Sequence, residues 1–293
     1  MTAKGATGVE LNRLIERVVK DFVASSTENA MRSAAGEKIW AEPLVGFSRG
    51  DDALYRRLQE DIGPFYWTPQ EAFAQVFPAT VVDAAELSVA TWVLPQTLQS
   101  RHDNRRQRKY PAERWSRARL YGEQFNDLLR EHLVAQLQAE GIAAVAPVLA
   151  PSWKWMTSER YGFASRWSER HTAYVSGLGT FGLCEGLITP VGKAVRLGSV
   201  VLRGQVQLTP RPYDGIHDWC LFYAGGAGAC ERCSERCPAE AVSAQGHDKN
   251  KCAAYLQKVT LPYSKAHYDV EIASCGLCQT AVPCEAGIPV PRR

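Results

Sequence analysis

The sequence predicts an α+β protein with a layered domain over residues 1–210 and a small cysteine-rich domain over residues 211–293. Helical and strand patterns alternate through the first part of the chain, which is typical of layered folds. Pro210-Arg211-Pro212 then marks a boundary, since prolines interrupt regular elements. Every cysteine except Cys184 follows that boundary. At 293 residues, the chain is long enough for one large core and one small domain.

Hydrophobic periodicity locates the main elements of the larger domain. Apolar residues at steps of three and four predict amphipathic helices over Val9–Ser25 and Glu113–Glu140. Continuous apolar runs predict buried strands over Ser88–Leu94, Ile142–Leu149 and Gly198–Val206. Together these elements predict one layered core.

Two segments of the larger domain allow two interpretations each. Residues 36–69 hold aromatic side chains among glycines and prolines, and such a segment either caps the core or lines a cavity for a flat ligand. We favour capping, because most aromatic side chains serve packing. The basic run from Arg101 to Lys109 predicts a solvated loop, with a docking patch for an acidic partner as the alternative.

The cysteines form the most specific motif in the chain. Residues 230–238 read Cys-Glu-Arg-Cys-Ser-Glu-Arg-Cys-Pro, and Cys275-Gly-Leu-Cys278 follows near the C-terminus with Cys284. Bacterial proteins with two iron–sulfur clusters share the pattern C-x2-C-x2-C-x3-C-P, whose fourth cysteine binds the other cluster. Here Ala227 occupies the first position of that pattern. Cys220, which lies ten residues before Cys230, is the predicted substitute.

The number of cysteines predicts two [4Fe–4S] clusters, because two clusters bound only by cysteine need eight thiolates. Cys184 lies upstream and is left out; it is predicted to be buried and inert, with an open-site thiolate as the alternative. A zinc site, disulfides, and a single or three-iron cluster are the competing interpretations of the motif. By the crossing rule, the predicted sets are Cys220, Cys230, Cys233 and Cys284 for one cluster, and Cys237, Cys252, Cys275 and Cys278 for the other.

Charge and hydropathy argue against several classes of protein. The net charge of +3, from 34 basic and 31 acidic residues, is too small to indicate nucleic-acid binding. No apolar run approaches the ~18 residues that span a membrane. The N-terminus shows no secretory signal. We therefore expect a cytoplasmic protein, in which thiolates stay reduced.

A glycine-rich segment precedes the cysteines and reads Gly177-Leu178-Gly179-Thr180-Phe181-Gly182. Alone it indicates tight turns or a close approach of the backbone to a ligand. An apolar strand, the first cysteine motif, Cys252 ahead of Tyr255-Leu256, and the closing cysteines follow in that order. This order of motifs resembles the epoxyqueuosine reductase family and, more distantly, the reductive dehalogenases, over roughly residues 85–285.

The resemblance implies a nitroreductase-like domain that binds cobalamin, followed by a ferredoxin-like domain whose two clusters pass single electrons to the cobalt. It also implies a small-molecule substrate and an electron donor such as a flavodoxin or ferredoxin. The residues implied to contact the cofactor are Gly177, Leu178, Gly179, Thr180 and Gly182.

The chain departs from the family's pattern at several points. Ala227 replaces the first ligand, and five residues separate Cys278 from Cys284 where the family has C-x3-C-P. The position of the family's acidic proton donor falls near Phe163. The chain stops at Arg293, whereas the family continues into a helical-repeat region that helps to hold tRNA. We therefore do not expect a tRNA substrate.

A reduction that consumes a proton needs a general acid near the reacting atom. The candidates are Tyr161, Tyr174 and His171, with Glu169 nearby, and each can equally serve a hydrogen bond in the core. The leading hypothesis is an iron–sulfur oxidoreductase that reduces a small molecule through a corrinoid. The alternatives are an electron carrier or corrinoid-binding partner without its own reaction, and an enzyme with a flavin in the larger domain.

Overall fold

The computed structural model describes residues 7–33, 36–225 and 230–290, so Ala227 lies outside the described residues. The α-helices are α1 Gly8–Ser25, α2 Ala53–Ile62, α3 Pro69–Ala74, α4 Leu98–Arg106, α5 Glu113–Ala139, α6 Glu169–Val175, α7 Leu221–Ala224, α8 Arg232–Glu235, α9 Lys249–Tyr255 and α10 Leu261–Tyr268. The strands are β1 Leu44–Arg49, β2 Leu87–Pro95, β3 Ala144–Val145, β4 Trp155–Ser158, β5 Gly162–Ser165, β6 Thr180–Phe181, β7 Leu187–Ile188, β8 Val195–Arg203, β9 Val242–Ser243 and β10 Gly246–His247.

A four-stranded antiparallel sheet in the order β1-β2-β8-β3 forms the centre of the fold. Every residue of β2 is buried, because both faces of the sheet are covered. Trp92 and Val200 face the core with α1 and α5. Val89 and Val201 face the opposite core with α2, α3 and α6. The alternation follows from the two-residue period of a strand, and it confirms the α+β class.

The long periodic elements match their predictions. Helix α1 begins where Thr7 and Glu10 form a reciprocal capping box, and α5 covers nearly all of the predicted span. Strand β2 is one residue longer at each end than predicted. The aromatic segment over residues 36–69 caps the core, since Trp40, Tyr55 and Tyr66 are all buried there.

Three predictions about the larger domain were wrong in extent or type. The strand predicted over Ile142–Leu149 is reduced to Ala144–Val145, because a short 3-10 helix with Pro147 at its start follows. The strand predicted over Gly198–Val206 begins earlier and ends earlier, as Val195–Arg203. Much of the basic run predicted as a solvated loop forms helix α4 instead, which begins at a cap provided by Thr97.

A buried ionic network fixes α5 and α6 against the sheet. The guanidinium of Arg130 is 1% exposed and donates to Glu169 Oε1 at 3.1 Å and to the Leu197 carbonyl at 3.2 Å. Ser199 donates to the other oxygen of Glu169. A buried charge is tolerated when it is paired and hydrogen-bonded in this way.

Beyond β8, helices α9 and α10 are joined through a π-helical turn over Leu256–Thr260, and the other elements in the described residues are short. This region packs on α4 and α5 through polar contacts, such as Asn104 Nδ2 to the Cys275 carbonyl at 3.3 Å and Ser116 Oγ to Ser274 Oγ at 3.0 Å. The domain boundary at residue 210 stays a prediction. No helix in the described ranges is both long and apolar enough to cross a membrane.

Candidate metal centre

The glycine-rich segment holds the start of the cysteine region in place. Gly177 has a φ of +78°, and a Cβ there would lie 2.5 Å from the Pro210 carbonyl oxygen. Further along, the Phe181 N–H donates to the Ile216 carbonyl at 2.6 Å, and the Trp219 N–H donates to Thr180 Oγ1 at 3.0 Å. The chain after Pro210 therefore runs back along this segment and delivers Cys220 next to it.

The other predicted cofactor contacts also approach protein atoms closely. A Cβ on Gly179 would lie 2.3 Å from the Ile188 carbonyl oxygen, and the Leu178 side chain fills the space over Gly46. The Gly182 N–H donates to the Gly186 carbonyl at 2.9 Å. These contacts support the tight-turn interpretation of the glycines. Their role in binding a cofactor stays a prediction.

Four cysteines line one small cavity. Apolar residues such as Leu183, Ile188 and Val282 form much of the remaining wall, and the side chain of Lys193 also reaches it. Cys220 precedes α7, and Cys233 lies in α8, so two short helices direct their sulfurs inward. The four cysteines are the set that the crossing rule assigns to one cluster: Cys220, Cys230, Cys233 and Cys284.

The second predicted set is also gathered in one region. Cys237 and Cys252 lie close enough to Cys275 that their negative charge raises its pKa. Burial is the larger cause, and together these effects raise the pKa of the Cys275 thiol to about 12. The Ala241 N–H donates to Cys237 Sγ at 3.3 Å. Cys278, the fourth member, contacts Cys184.

Cys184 belongs to this sulfur-rich region, although the spacing of the motif excluded it. It is 5% exposed, as predicted, but it lies against Cys278 and Cys233, one from each predicted set. Its sulfur accepts a hydrogen bond from Lys193 Nζ at 3.2 Å. The sequence prediction of an isolated inert cysteine therefore missed its neighbours.

The sulfurs and Lys193 strongly perturb one another. Hydrogen bonds from the thiols of Cys233 and Cys278 hold the pKa of Cys184 well below its usual range, and the Lys193 ammonium acts in the same direction. The same contacts raise the pKa values of Cys233 and Cys278. Burial lowers the pKa of Lys193, but the charges of the surrounding sulfurs outweigh burial and raise it.

Helix α4 and helix α5 brace the loop that carries the closing cysteines. Arg236 donates to the carbonyls of Gln107 at 2.8 Å and Thr280 at 3.1 Å, which ties the end of α4 to that loop. Gly276 has a φ of +65°, and a Cβ there would lie 1.9 Å from the Trp115 ring. Only glycine fits over this tryptophan with that backbone conformation.

The turn before β8 fixes Cys284. The Lys193 N–H donates to the Cys284 carbonyl at 2.9 Å, and Arg105 Nε donates to the Glu285 carboxylate at 2.8 Å. Gly192 has a φ of +88°, and a Cβ there would lie 2.1 Å from the Glu285 carbonyl oxygen. Gly192 is a positioning residue that the sequence analysis did not identify.

The arrangement suits a multi-iron cluster in its donor chemistry. Cysteine thiolates are the ligands of iron–sulfur clusters, and their protons must leave before they bind metal. Within the described residues, no three side chains of His, Cys, Asp or Glu converge on one point at the spacing that a single metal ion requires. The cavity instead separates four cysteines around an empty volume, and thiolates in that position can ligate the corners of a cluster.

The predicted proton donors lie in α6 and next to β5, and each has a separate hydrogen-bond partner. Tyr161 donates to the Asp61 carboxylate, and Tyr174 donates to the Asp214 carbonyl at 3.4 Å. His171 Nδ1 lies 2.8 Å from Ser168 Oγ, and burial lowers the pKa of His171 to about 3. Their catalytic role stays a prediction.

A corrinoid does not fit either of two cavities in the described residues. The cysteine-lined cavity has the wrong donors and is small. A second depression is open to solvent and is lined by five residues of α4 alone, Leu98, Gln99, Arg101, His102 and Arg105. Pockets that bind organic ligands enclose most of the ligand surface, and neither cavity does so for a macrocycle.

Comparison by sequence finds nothing: no protein-family model matches the chain, and no curated protein matches it. Comparison by structure finds a shared fold. A reductive dehalogenase, whose structure suggests a mechanism for B12-dependent dehalogenation, superposes with a TM-score of 0.50 and 15% identity. The match covers 84% of this chain and 30% of the dehalogenase.

Two further solved structures also match the chain. A catabolic reductive dehalogenase in complex with 3-bromo-4-hydroxybenzoic acid matches with a TM-score of 0.50 and 14% identity, over 94% of this chain and 37% of its own. The epoxyqueuosine reductase from Bacillus subtilis matches with a TM-score of 0.44 and 16% identity, over 94% and 67%. The chain thus spans about a third of the length of these dehalogenases. The similarity that the order of motifs predicted is confirmed for the fold, which this chain shares in outline with reductive dehalogenases.

Proposed function

We propose that this chain is an iron–sulfur oxidoreductase that holds two [4Fe–4S] clusters and passes electrons one at a time to an acceptor. One observation carries the proposal: Cys220, Cys230, Cys233 and Cys284 line a single cavity. These four residues come from separate segments around Cys220, Cys230 and Cys284, and the crossing pattern of two-cluster proteins groups them in the same way. A set of unrelated buried cysteines has no reason to follow that pattern.

The protein's part in this chemistry is to hold the clusters and to tune them. Bound clusters supply one-electron transfer. Hydrogen bonds to the sulfurs, burial and nearby charge set the reduction potential of a cluster. In this chain the Ala241 N–H, which donates to Cys237 Sγ, and the Lys193 ammonium are groups of that kind. A flavodoxin or a ferredoxin is the class of donor that delivers single electrons.

The likeness to a B12-dependent dehalogenase suggests a corrinoid as the acceptor and a small molecule as the final substrate. The cavities described above give no site for it, so no step is assigned to cobalt. Reduction of a small molecule takes two electrons and at least one proton, and Tyr161 and Tyr174 are the proposed sources of that proton. His171, the third predicted acid, has a pKa of about 3 and is neutral near pH 7, so it can give only the proton of its neutral ring.

A second candidate function is an electron relay without its own substrate. The observation that favours it is that the proposed acids are engaged: Tyr161 with Asp61, Tyr174 with a backbone carbonyl, and His171 with Ser168. An acid that must donate to a substrate needs to face that substrate. In the relay, both clusters hand their electrons to a partner protein.

The test uses the full chain, purified without oxygen and reduced with dithionite. We expect electron paramagnetic resonance signals of reduced [4Fe–4S] clusters, and the Cys233→Ser variant should lose the signal of one cluster and keep the other. Cobalamin is then added to the reduced protein. A cobalt absorption spectrum that changes only with the intact protein supports the corrinoid acceptor, and an unchanged spectrum supports the relay. A reduced protein without any cluster signal contradicts both.

A further inference from the structure

Lys193 is a buried cation at the wall of the cysteine-lined cavity. Lys193 is only 3% exposed, although lysine is almost never fully buried unless it is paired. Its Nζ donates to Cys184 Sγ at 3.2 Å. Its side chain lines the cavity together with Cys233 and Cys284.

No carboxylate forms an ion pair with Lys193 in the part of the chain that the structure describes. Two acidic residues of this region, Glu285 after Cys284 and Glu185 after Cys184, lie beside other cations. Glu285 pairs with Arg105 at 2.8 Å, and Glu185 lies 3.6 Å from Lys249. Burial of an unpaired ammonium is very unfavourable. The Cys184 sulfur accepts a hydrogen bond from this ammonium, and the groups on the cavity wall that can carry negative charge are cysteine sulfurs. Any further anion beside Lys193 therefore comes from those cysteines.

An iron–sulfur cluster bound by four cysteines supplies that anion. Four thiolates bring more negative charge than the iron–sulfide core neutralises, and the uptake of one electron adds another negative charge. We propose that the cluster held by Cys220, Cys230, Cys233 and Cys284 is the counter-ion of Lys193, and that this ammonium sets its reduction potential. This inference rests on the proposed function and deepens it.

The direction of the effect follows from electrostatics. A fixed positive charge stabilises the reduced cluster more than the oxidised one, because the reduced form is more negative. Lys193 therefore raises the potential of the nearer cluster. The step itself is one electron from the donor to the cluster, with no bond broken and no proton moved.

Cys184 positions the ammonium rather than binding iron. Four other cysteines already line the cavity, and Cys184 is absent from its wall. Its sulfur holds Lys193 Nζ between the two predicted cluster sets, since it contacts both Cys233 and Cys278. Lys193 lines the cavity of the first set, so the second cluster should respond less to the charge.

The experiment is a redox titration of both clusters by electron paramagnetic resonance, with wild type, Lys193→Met and Lys258→Met. Lys258 is exposed in the same region, so the control removes one equal charge from a screened position. At a fixed applied potential, we expect Lys193→Met to lower the ratio of reduced to oxidised cluster at least tenfold for one cluster. This change corresponds to a reduction potential lower by about 59 mV. Lys258→Met should leave both potentials unchanged. Unchanged potentials in Lys193→Met would overturn the inference.

Two further variants keep the test decisive if Lys193→Met fails to bind a cluster. Lys193→Arg keeps the positive charge. Retention of iron with a near wild-type reduction potential in this variant supports the inference, whereas loss of the cluster in Lys193→Arg as well contradicts it. Cys184→Ser keeps a hydrogen-bond acceptor and should keep the full iron content. Loss of iron in Cys184→Ser would make Cys184 a ligand and refute the positioning role.

The outcomes separate this inference from the proposed function. A wild-type chain without clusters contradicts the proposed function and the inference with it. A wild-type chain with two clusters, whose potentials do not respond to Lys193→Met, contradicts the inference alone.

Discussion

The sheet region and the cysteine region are held together in different ways. Strand β2 is buried along its whole length, and apolar cores cover the sheet on both faces. Between Cys230 and Val290, in contrast, helices α9 and α10 are joined through a π-helical turn over Leu256–Thr260, and the other described elements are four residues or shorter. Burial of apolar surface alone explains the first region. The second region surrounds its cavity with thiols and is expected to gain much of its folding free energy from metal.

Polar contacts show the same difference. In the sheet region, polar groups such as Arg130 and Glu169 satisfy one another within the protein. In the cysteine region, Lys193 lacks a carboxylate partner among the described residues and faces sulfur atoms. The sheet region thus satisfies its polar groups within the protein, whereas the cysteine region is expected to need the proposed metal.

Removal of the metal should produce the largest effect and the clearest contrast. We expect removal of the clusters by chelation and oxidation to unfold residues 230–290, while strands β2 and β8 keep their structure. Of these, only residues 230–290 are proposed to depend on metal ligation for their fold. Hydrogen exchange of the holo and apo proteins measures this. Equal protection of residues 230–290 in both forms would contradict the comparison.

A cavity in the apolar core should destabilise the sheet region and leave the clusters intact. Leu133 of α5 is fully buried between α1 and the sheet, so Leu133→Ala should lower the free energy of unfolding by about 2–5 kcal/mol. The iron content should not change. Leu128→Ala on the same helix is the control, since Leu128 is 38% exposed and should cost less than about 1 kcal/mol. Urea unfolding and an iron assay of the three proteins decide this, and a loss of iron in Leu133→Ala would show that the two regions are not independent.

Loss of the brace between α4 and the closing cysteines should have an intermediate effect. Arg236 donates to four carbonyls, those of Asn104, Gln107, Leu277 and Thr280. Arg236→Gln should destabilise the protein by about 1–3 kcal/mol, because carbonyls lose their donors. Lys265→Gln removes an exposed cation paired with Glu271, and such pairs contribute about 0–1 kcal/mol. The rate of cluster loss at a fixed temperature should rise in Arg236→Gln only. Equal rates in the two variants would show that Arg236 does not hold the loop of the closing cysteines against α4.

Mild acid should produce the smallest effect, and it concerns the sheet region. Burial lowers the pKa of His171 to about 3 from an ordinary value of 6.5. Below about pH 6.5 the unfolded chain therefore takes up a proton at His171 that the folded chain refuses, and stability falls as the pH falls. His171→Gln lacks this contribution, so its free energy of unfolding should decline less than that of wild type between about pH 7 and pH 5. Parallel declines would show that His171 is protonated in the folded protein.

The sequence predicted the parts of the fold that burial determines. Helix α5 carries a strong periodic apolar pattern and strand β2 carries a continuous apolar run. Each element ends close to the end of its pattern. Helix α4 was missed because it is rich in arginine and has no apolar period; the Thr97 cap and the contacts of Asn104 stabilise it instead. Tertiary contacts of this kind leave no local pattern in the chain.

The residues of the candidate site were also predicted only in part from the sequence. Motif spacing grouped the four cysteines of the cavity, including Cys220 in place of Ala227. It missed Cys184 and Lys193, because both come from a different part of the chain and meet the cysteines only through the fold. Gly192-Lys193, a lysine beside a glycine within an otherwise apolar stretch, was the available signal. A cation in an apolar run is a reason to look for a buried partner.

The central claim is that two groups of cysteines bind two [4Fe–4S] clusters, and a metal and sulfide analysis of anaerobically purified chain tests it most directly. The account predicts iron and acid-labile sulfide in equal amounts, enough for two clusters in each chain, and no stoichiometric zinc. Stoichiometric zinc, or iron sufficient for only one cluster, would contradict it.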